Sequence, residues 1–177
     1  MQLIRWTRFR WDLERLAKHP VPSPMPYTIR PVDREEEGIV RKVAQSSLAV
    51  DIGWSDAMKT VAPAMQKAIA ETFLENPAHT LAVLHGVRII GVSVIDAREE
   101  AENHLITGPC ILHEYRNRGL GSALLRASLE LLKAEGRREG RGLTRDRTIA
   151  ARFVYPKFGG NASQYHAGPQ PEPRLAA

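Results

Sequence analysis

The sequence contains a single cysteine, Cys110, among 177 residues, so no disulfide can form within the chain. The fold must therefore be held by its core, and a reducing, cytoplasmic setting is expected. No apolar run approaches the roughly 18 residues that a membrane span requires. Arginines interrupt every apolar stretch near the N-terminus, which argues against a secretory signal there. The sequence has no internal repeat.

What is present suits one globular domain. The hydrophobic and charged shares, 43% and 25%, are ordinary for a folded protein, and the length suffices for a sizeable core. The formal charge of +5 favours an anionic partner. That partner could be a phosphate-bearing cofactor, a nucleic acid or a membrane surface, and charge alone does not choose among them. No metal cofactor is expected.

The two ends of the chain differ from its centre. Apolar residues at Phe9, Leu13 and Leu16 recur at helical spacing, and a proline-rich stretch follows them. Residues 1–26 are therefore predicted to form an amphipathic helix and an extended connector. Residues 161–177, which are rich in proline, are predicted to be a disordered tail. We expect the helix to pack on its own domain or on a sister subunit; a membrane-surface or transit role is the alternative.

Hydrophobic periodicity and chain breakers predict an α/β (α+β) domain over residues 27–160. The predicted elements are, in order, a strand at 27–30, a helix opened by an Asp33–Glu36 capping box, a helix with a Val61, Met65, Ile69 and Phe73 stripe, a hairpin of strands 80–84 and 88–95, a strand at 104–112 broken by Gly108 and Pro109, a helix from Leu120 to about Glu135, a weak strand at 142–144 and a helix at 148–158. In the second hairpin strand, alternation predicts Ile90, Val92 and Val94 on one face.

One short stretch, Arg116–Gly121, joins the broken strand to the next helix and carries the strongest chemical signal. A glycine-bearing turn at a helix start points free backbone N–H groups, aided by the helix dipole, at an anion such as phosphate. The glycines remove the Cβ atoms that would keep the anion away. Arg116 and Arg118 add charge that can fork onto phosphate oxygens. The alternative is a solvated strand-to-helix turn without a ligand.

The run RNRGLG, followed by Ser122 and an apolar helix, resembles the acyl-CoA loop of the GNAT superfamily of N-acetyltransferases. It matches neither the dinucleotide fingerprint nor a Walker loop. A second stretch, ARFVYPKFG at 151–159, resembles the C-terminal helix of the same family, with a tyrosine four residues after an alanine. The resemblance covers residues 27–160 and implies a mixed, mostly antiparallel central sheet flanked by helices.

This resemblance implies acetyl-CoA, or another acyl-CoA, as co-substrate and an amine as acceptor. The residues that it places on the cofactor are Pro109, Cys110 and Ile111 in the broken strand, Arg116, Asn117, Arg118, Gly119, Leu120, Gly121 and Ser122 in the loop, and Thr148. The loop amides would bind the pyrophosphate, and the broken strand would pair with the pantetheine arm. The amine would attack the acyl carbonyl directly.

Two residues are candidates for moving protons in that reaction. The resemblance implies Tyr155 as the acid that protonates the departing thiolate. His104, with Glu102 nearby, is the candidate base, because an imidazole can take a proton near neutral pH. A core tyrosine and a surface histidine are the plainer interpretations of the same two residues. Cys110 has no paired base in the sequence, so we expect an apolar, buried thiol rather than a nucleophile.

The chain departs from the family pattern in three places. Thr148 stands where many members have a cofactor-contacting asparagine, and His113 stands where a proline is common. The stretch after Gly160 resembles no strand, so the closing C-terminal strand pair is predicted to be missing. An exposed sheet edge would remain, which the N-terminal helix or the partner subunit of a homodimer could cover.

Two other function classes stay open. A non-catalytic module that senses acyl-CoA would keep the pocket without turnover. A basic nucleic-acid-binding protein could use the arginines between 137 and 147, although this cluster lacks the interleaved aromatic residues that stack on bases.

Overall fold

The computed structural model describes residues 5–21 and 25–166, which form two antiparallel sheets flanked by helices. The strands are β1 (Trp6–Asp12), β2 (Tyr27–Pro31), β3 (Thr80–His85), β4 (Arg88–Val94), β5 (Cys110–Ile111), β6 (Glu139–Arg145) and β7 (Asn161–Tyr165). The α-helices are α1 (Glu37–Ala49), α2 (Met58–Glu75) and α3 (Leu120–Ala134). This arrangement confirms the predicted α+β class with a mostly antiparallel sheet.

The larger sheet has the strand order β2-β3-β4-β5 and separates two apolar clusters. Its β3–β4 hairpin, the α2 stripe and the Asp33–Glu36 capping box were all predicted and are present. The prediction of one shared face in β4 was wrong: Ile90 packs in the cluster under α3, whereas Val92 and Val94 pack with α1 and α2. The cause is a register shift opposite Val83 and Leu84, which turns Ile90 to the other side.

The N-terminal segment is a strand, so the predicted amphipathic helix was wrong. Strand β1 is the middle strand of the smaller sheet, whose order is β6-β1-β7. Phe9 and Trp11 are buried while Arg10 and Asp12 are exposed, which is the two-residue period of a strand. Pairing on both sides satisfies the backbone of β1, and an isolated helix could not provide that pairing.

The C-terminal stretch also differs from the prediction. Asn161–Tyr165 form strand β7 and pair with β1, so the disordered-tail prediction was wrong there, and residues 167–177 lie outside the described part of the chain. The predicted gap beside β6 is filled by the chain's own β1. The reason for expecting a helix or a partner subunit at that edge is thereby removed.

Two predicted elements near the loop are shorter than expected. The strand at 104–112 is reduced to an isolated bridge between Leu105 and Ile95 and the two residues of β5. The helix at 148–158 becomes a π-helical turn, Ala150–Val154, followed by a 3₁₀ turn, Lys157–Gly159. Helix α3 begins at Leu120 as predicted, and β6 is longer than its weak signal suggested. No helix in the described ranges is long and apolar enough to cross a bilayer.

The central position of β1 predicts the effect of a proline at Arg10, whose side chain is exposed and whose backbone faces Arg141 on one side and Asn161 on the other. Arg10→Pro removes a ladder N–H and should lower the free energy of unfolding by at least about 1 kcal/mol, because proline cannot donate within a strand that is paired on both sides. Arg10→Thr, which keeps the N–H, should stay near wild type. Urea unfolding measures both; equal stability of the two variants would contradict the central placement of β1.

Candidate active site

A cleft of about 1180 Å³ opens where the two sheets diverge, and we call it the central cleft. Its walls include Thr107–Ile111 on one side and Leu143 and Thr144 of β6 on the other. The two walls are joined at one end, where the N–H groups of His104 and Leu105 donate to the carbonyl of Arg141 at 2.9 and 3.3 Å. Towards β5 no strand lies between them in the described part of the chain, so the space stays open.

The loop before α3 lines one end of the central cleft with free donors. Asn117 and Gly119 have positive φ angles of 61° and 76°, which turns the chain sharply into the helix. The first helical bond runs from Ala123 N–H to the Gly119 carbonyl at 3.0 Å. Within the described residues, no N–H group from Asn117 to Ser122 has an acceptor. These groups and the helix dipole give this end of the cleft a positive potential that favours an anion.

Lys157 adds a positive charge at the same place, and sequence reasoning missed it. Its ammonium group donates to the hydroxyl of Ser122, in the first turn of α3, and both residues line the central cleft. The signal was available, because Lys157 belongs to the ARFVYPKFG stretch. A lysine beside free amides strengthens the site for a phosphate group.

Tyr155 lies between the diverging walls of the central cleft. A Cβ atom at Gly108 would be 2.3 Å from the phenolic oxygen and would clash with it, whereas one at Gly142 would be 3.2 Å from the ring, which is a tight contact. The ring packs edge-on against Phe9 and Trp11 at 5.4 and 5.5 Å. Tyr155 lines the central cleft, and its hydroxyl makes no hydrogen bond to another described residue.

Burial, with a smaller effect from Cys110, raises the pKa of the Tyr155 phenol well above its usual value. The phenol therefore stays protonated at neutral pH and can donate a proton, but it cannot serve as a base there. The raised pKa also makes the phenol a weaker acid than a free tyrosine, so proton donation requires an acceptor within hydrogen-bond reach of its hydroxyl.

Comparison with known proteins agrees with this geometry. The model of the acetyltransferase (GNAT) family matches residues 48–159, which is more than half of the chain. The chain belongs to the GNAT family. No curated protein matches it.

Several solved GNAT structures share the fold. A GCN5-related N-acetyltransferase from Sphaerobacter thermophilus is 16% identical with a TM-score of 0.57, over 92% of this chain and 50% of that one. A GNAT acetyltransferase from Colwellia psychrerythraea is 12% identical with a TM-score of 0.64, over 92% and 54%. This chain thus spans about half the length of those proteins, and at such identities the likeness shows the fold alone.

Three residues of the broken strand were predicted to contact a cofactor, and that role stays a prediction. Pro109, Cys110 and Ile111 line the central cleft, and β5 pairs with β4 on one edge. The Ile111 carbonyl, however, already accepts bonds from Ser47 Oγ and Arg116 Nε, both at 3.1 Å. Burial raises the pKa of the Cys110 thiol to about 11, so this cysteine is a poor nucleophile.

Both arginines of the loop are used inside the protein. Arg116 donates to the Ser47 carbonyl at 2.8 Å, in addition to Ile111. Arg118 donates to the Tyr27 hydroxyl at 2.7 Å and to the Glu114 carbonyl, and it does not line the central cleft. Their predicted role as phosphate forks is therefore not supported. They hold the loop to α1 and β2, which shapes the amide cradle.

Two further predicted site residues do not reach the central cleft. His104 is buried; its Nδ1 accepts the Arg141 N–H at 3.0 Å, and its Nε2 donates to the Arg98 carbonyl at 3.0 Å. Both ring nitrogens are thus occupied, and burial lowers its pKa, so the geometry argues against the predicted base. Thr148 is buried and its hydroxyl donates to the Arg145 carbonyl at 2.9 Å, so it caps the turn instead of contacting a cofactor.

Four of the five arginines between 137 and 147 have acidic partners, whereas Arg147 has none among the described residues. Those with acidic partners are Arg137 with Glu99, Arg138 with Glu14, Arg141 with Glu139 and Arg145 with Asp56. Paired arginines bind nucleic-acid phosphates poorly, which weakens that alternative.

The buried position of His104 predicts how stability depends on pH. Because its folded pKa lies below the unfolded value of about 6.5, the unfolded state binds its proton more readily. Stability should therefore be full above that pH and should fall as pH drops towards the folded pKa. Urea unfolding between pH 7.5 and 5.5 should show this loss in the wild type and a shallower slope in His104→Asn. His166→Asn, at an exposed histidine, is the control; an unchanged slope in His104→Asn would refute this account.

Proposed function

We propose that the protein is an acyl-CoA-dependent N-acetyltransferase that acetylates a primary amine of a small molecule or a protein. The observation that carries the proposal is the placement, in one cleft, of free amides at a helix N-terminus and a buried, protonated phenol. Family membership supports the same reaction. A cytoplasmic location suits the single, buried free cysteine.

The residues present fit the diphosphate of acetyl-CoA. The N–H groups of Asn117 to Ser122 lack internal acceptors within the described chain, and Lys157 brings a cation to Ser122. A Cβ atom at Gly121 would extend towards Val154, which also lines the central cleft, so the glycine leaves room there. We expect these groups to hold the two phosphates by charge-assisted bonds.

Acetyl-CoA, when bound, supplies a thioester whose carbonyl carbon accepts the amine as the carbon–sulfur bond breaks. The protein's task is to manage the protons. Tyr155 gives its hydroxyl proton to the departing sulfur and recovers one from the acetylated nitrogen, so its own state is unchanged over a cycle. The apolar packing of Phe9 and Trp11 around the ring limits water near this transfer.

The amide cradle can be tested at Gly121, which has an ordinary φ angle and can accept a side chain without backbone strain. Gly121→Leu should fill the diphosphate position and weaken acetyl-CoA binding more than about 100-fold, since each lost bond to a charged group costs about 1.5–3 kcal/mol. Isothermal titration calorimetry measures the affinity. Gly38→Leu, at a helical glycine with nothing within 4 Å, is the matched control. Unchanged affinity in Gly121→Leu would show that the loop binds no cofactor.

The acid role can be tested with Tyr155→Phe. The hydroxyl makes no internal bond among the described residues, so the variant should fold with wild-type stability. We expect kcat to fall about 100-fold or more, the usual contribution of a general acid, while acetyl-CoA affinity is retained. Release of free thiol across an amine panel measures turnover. Equal kcat would remove the acid role, and cofactor binding by the wild type without thiol release would favour a sensor.

A further inference from the structure

The central cleft continues past Tyr155 to the turn between α1 and α2, and this far end has a different character. Its wall is apolar, formed by residues that belong to or pack against the cluster of α1 and α2: Trp6, Trp54, Val61, Met65 and Ile106. Asp51 stands in the turn itself and also lines the cleft. An apolar wall with one carboxylate suits a ligand that has a cationic group on an apolar body.

Asp51 is held in place but is not neutralised. One of its carboxylate oxygens, Oδ1, accepts the Gly53 N–H at 2.9 Å, which caps the turn. Within the described residues, no lysine or arginine forms an ion pair with it, and no donor reaches its second oxygen. Arg145 fixes the turn from the other side by donating to the Gly53 carbonyl at 2.8 Å and by pairing with Asp56. The turn thus presents one carboxylate oxygen without a partner.

This carboxylate lies close to the proposed reaction centre. The thiol of Cys110 donates a hydrogen bond to the Thr107 carbonyl in the wall of the cleft. The next residue, Gly108, lies beside the Tyr155 hydroxyl. Asp51 lies near enough for its charge to act on Cys110, whose pKa is raised mainly by burial. Asp51 and Tyr155 therefore both lie near Cys110, and both line the central cleft.

We propose that Asp51 binds the ammonium group of the acceptor, and that the acceptor is a primary amine on an apolar aliphatic or aromatic body without an acidic group. The proposal rests on the acetyltransferase function proposed above and names its acceptor class. An ammonium on Asp51 gains a charge-assisted bond, and the apolar body covers Trp6, Trp54 and Val61. Before the nitrogen attacks the thioester, the ammonium gives one proton to solvent water, which frees the lone pair that forms the new bond. An acidic acceptor would be repelled by the carboxylate of Asp51 itself.

Binding of 2-phenylethylamine to the protein without cofactor tests the site independently of turnover. Isothermal titration calorimetry should show binding to the wild type and a loss of about 10- to 100-fold in Asp51→Asn, as expected when a hydrogen bond to a charged group is lost. The asparagine keeps an oxygen for Gly53 N–H, so the turn should fold. The neutral isostere 2-phenylethanol should bind both proteins equally, which a merely structural effect would not produce.

Asp33→Asn is the matched control, because Asp33 also caps a helical turn but lies outside the central cleft. It should bind 2-phenylethylamine like the wild type. Equal affinity of Asp51→Asn and wild type for the amine, no amine binding to the wild type, or preference for 3-phenylpropionate would overturn the assignment. If amine binding depends on Asp51 but no thiol is released from acetyl-CoA, the acetyltransferase function fails while the cation site stands.

Discussion

The segment that leads into β5 is joined to β6 at His104 and Leu105 and separates from it towards β5, and the central cleft exists because of this separation. At the joined end, His104 and Arg141 exchange backbone and ring hydrogen bonds. At the open end, Tyr155 stands between Gly108, where a Cβ atom would clash with its hydroxyl, and Gly142, where one would make a tight contact with its ring. A continuous ladder between the two sheets would close this space. Buried His104 and the two glycines therefore serve the site without taking part in chemistry.

The N-terminal strand supports the site from behind. Phe9 and Trp11 of β1 pack against the Tyr155 ring, and Trp11 Nε1 donates to the Lys157 carbonyl at 2.9 Å. The same strand joins β6 to β7, so the wall of the cleft and the segment carrying Tyr155 and Lys157 share one scaffold. Formation of the site is thus coupled to folding of the chain's first described strand.

The two ends of the central cleft have opposite electrostatic character. Free amides, the α3 dipole and Lys157 make one end positive, whereas Asp51 makes the other negative. Between them lies a phenol that burial keeps neutral. In the proposed function, such a gradient would orient an anionic cofactor and a cationic acceptor with their reactive groups towards each other.

The sequence by itself determined the features that depend on a few neighbouring residues. The capping box, the α2 stripe, the β3–β4 hairpin and the glycine turn before α3 follow from caps, periodicity and turn chemistry, which act locally. Near the N-terminus, a two-residue spacing of apolar side chains (Phe9, Trp11 and Leu13) fits a strand, and a helical spacing (Phe9, Leu13 and Leu16) fits a helix. The local pattern therefore could not choose between a strand and a helix. The open edges of β6 and β7, distant in sequence, decided for the strand.

Tertiary structure likewise directed Arg116 and His104 to internal acceptors and brought Asp51 and Lys157 to the cleft, because a side chain's partners depend on which segments fold beside it.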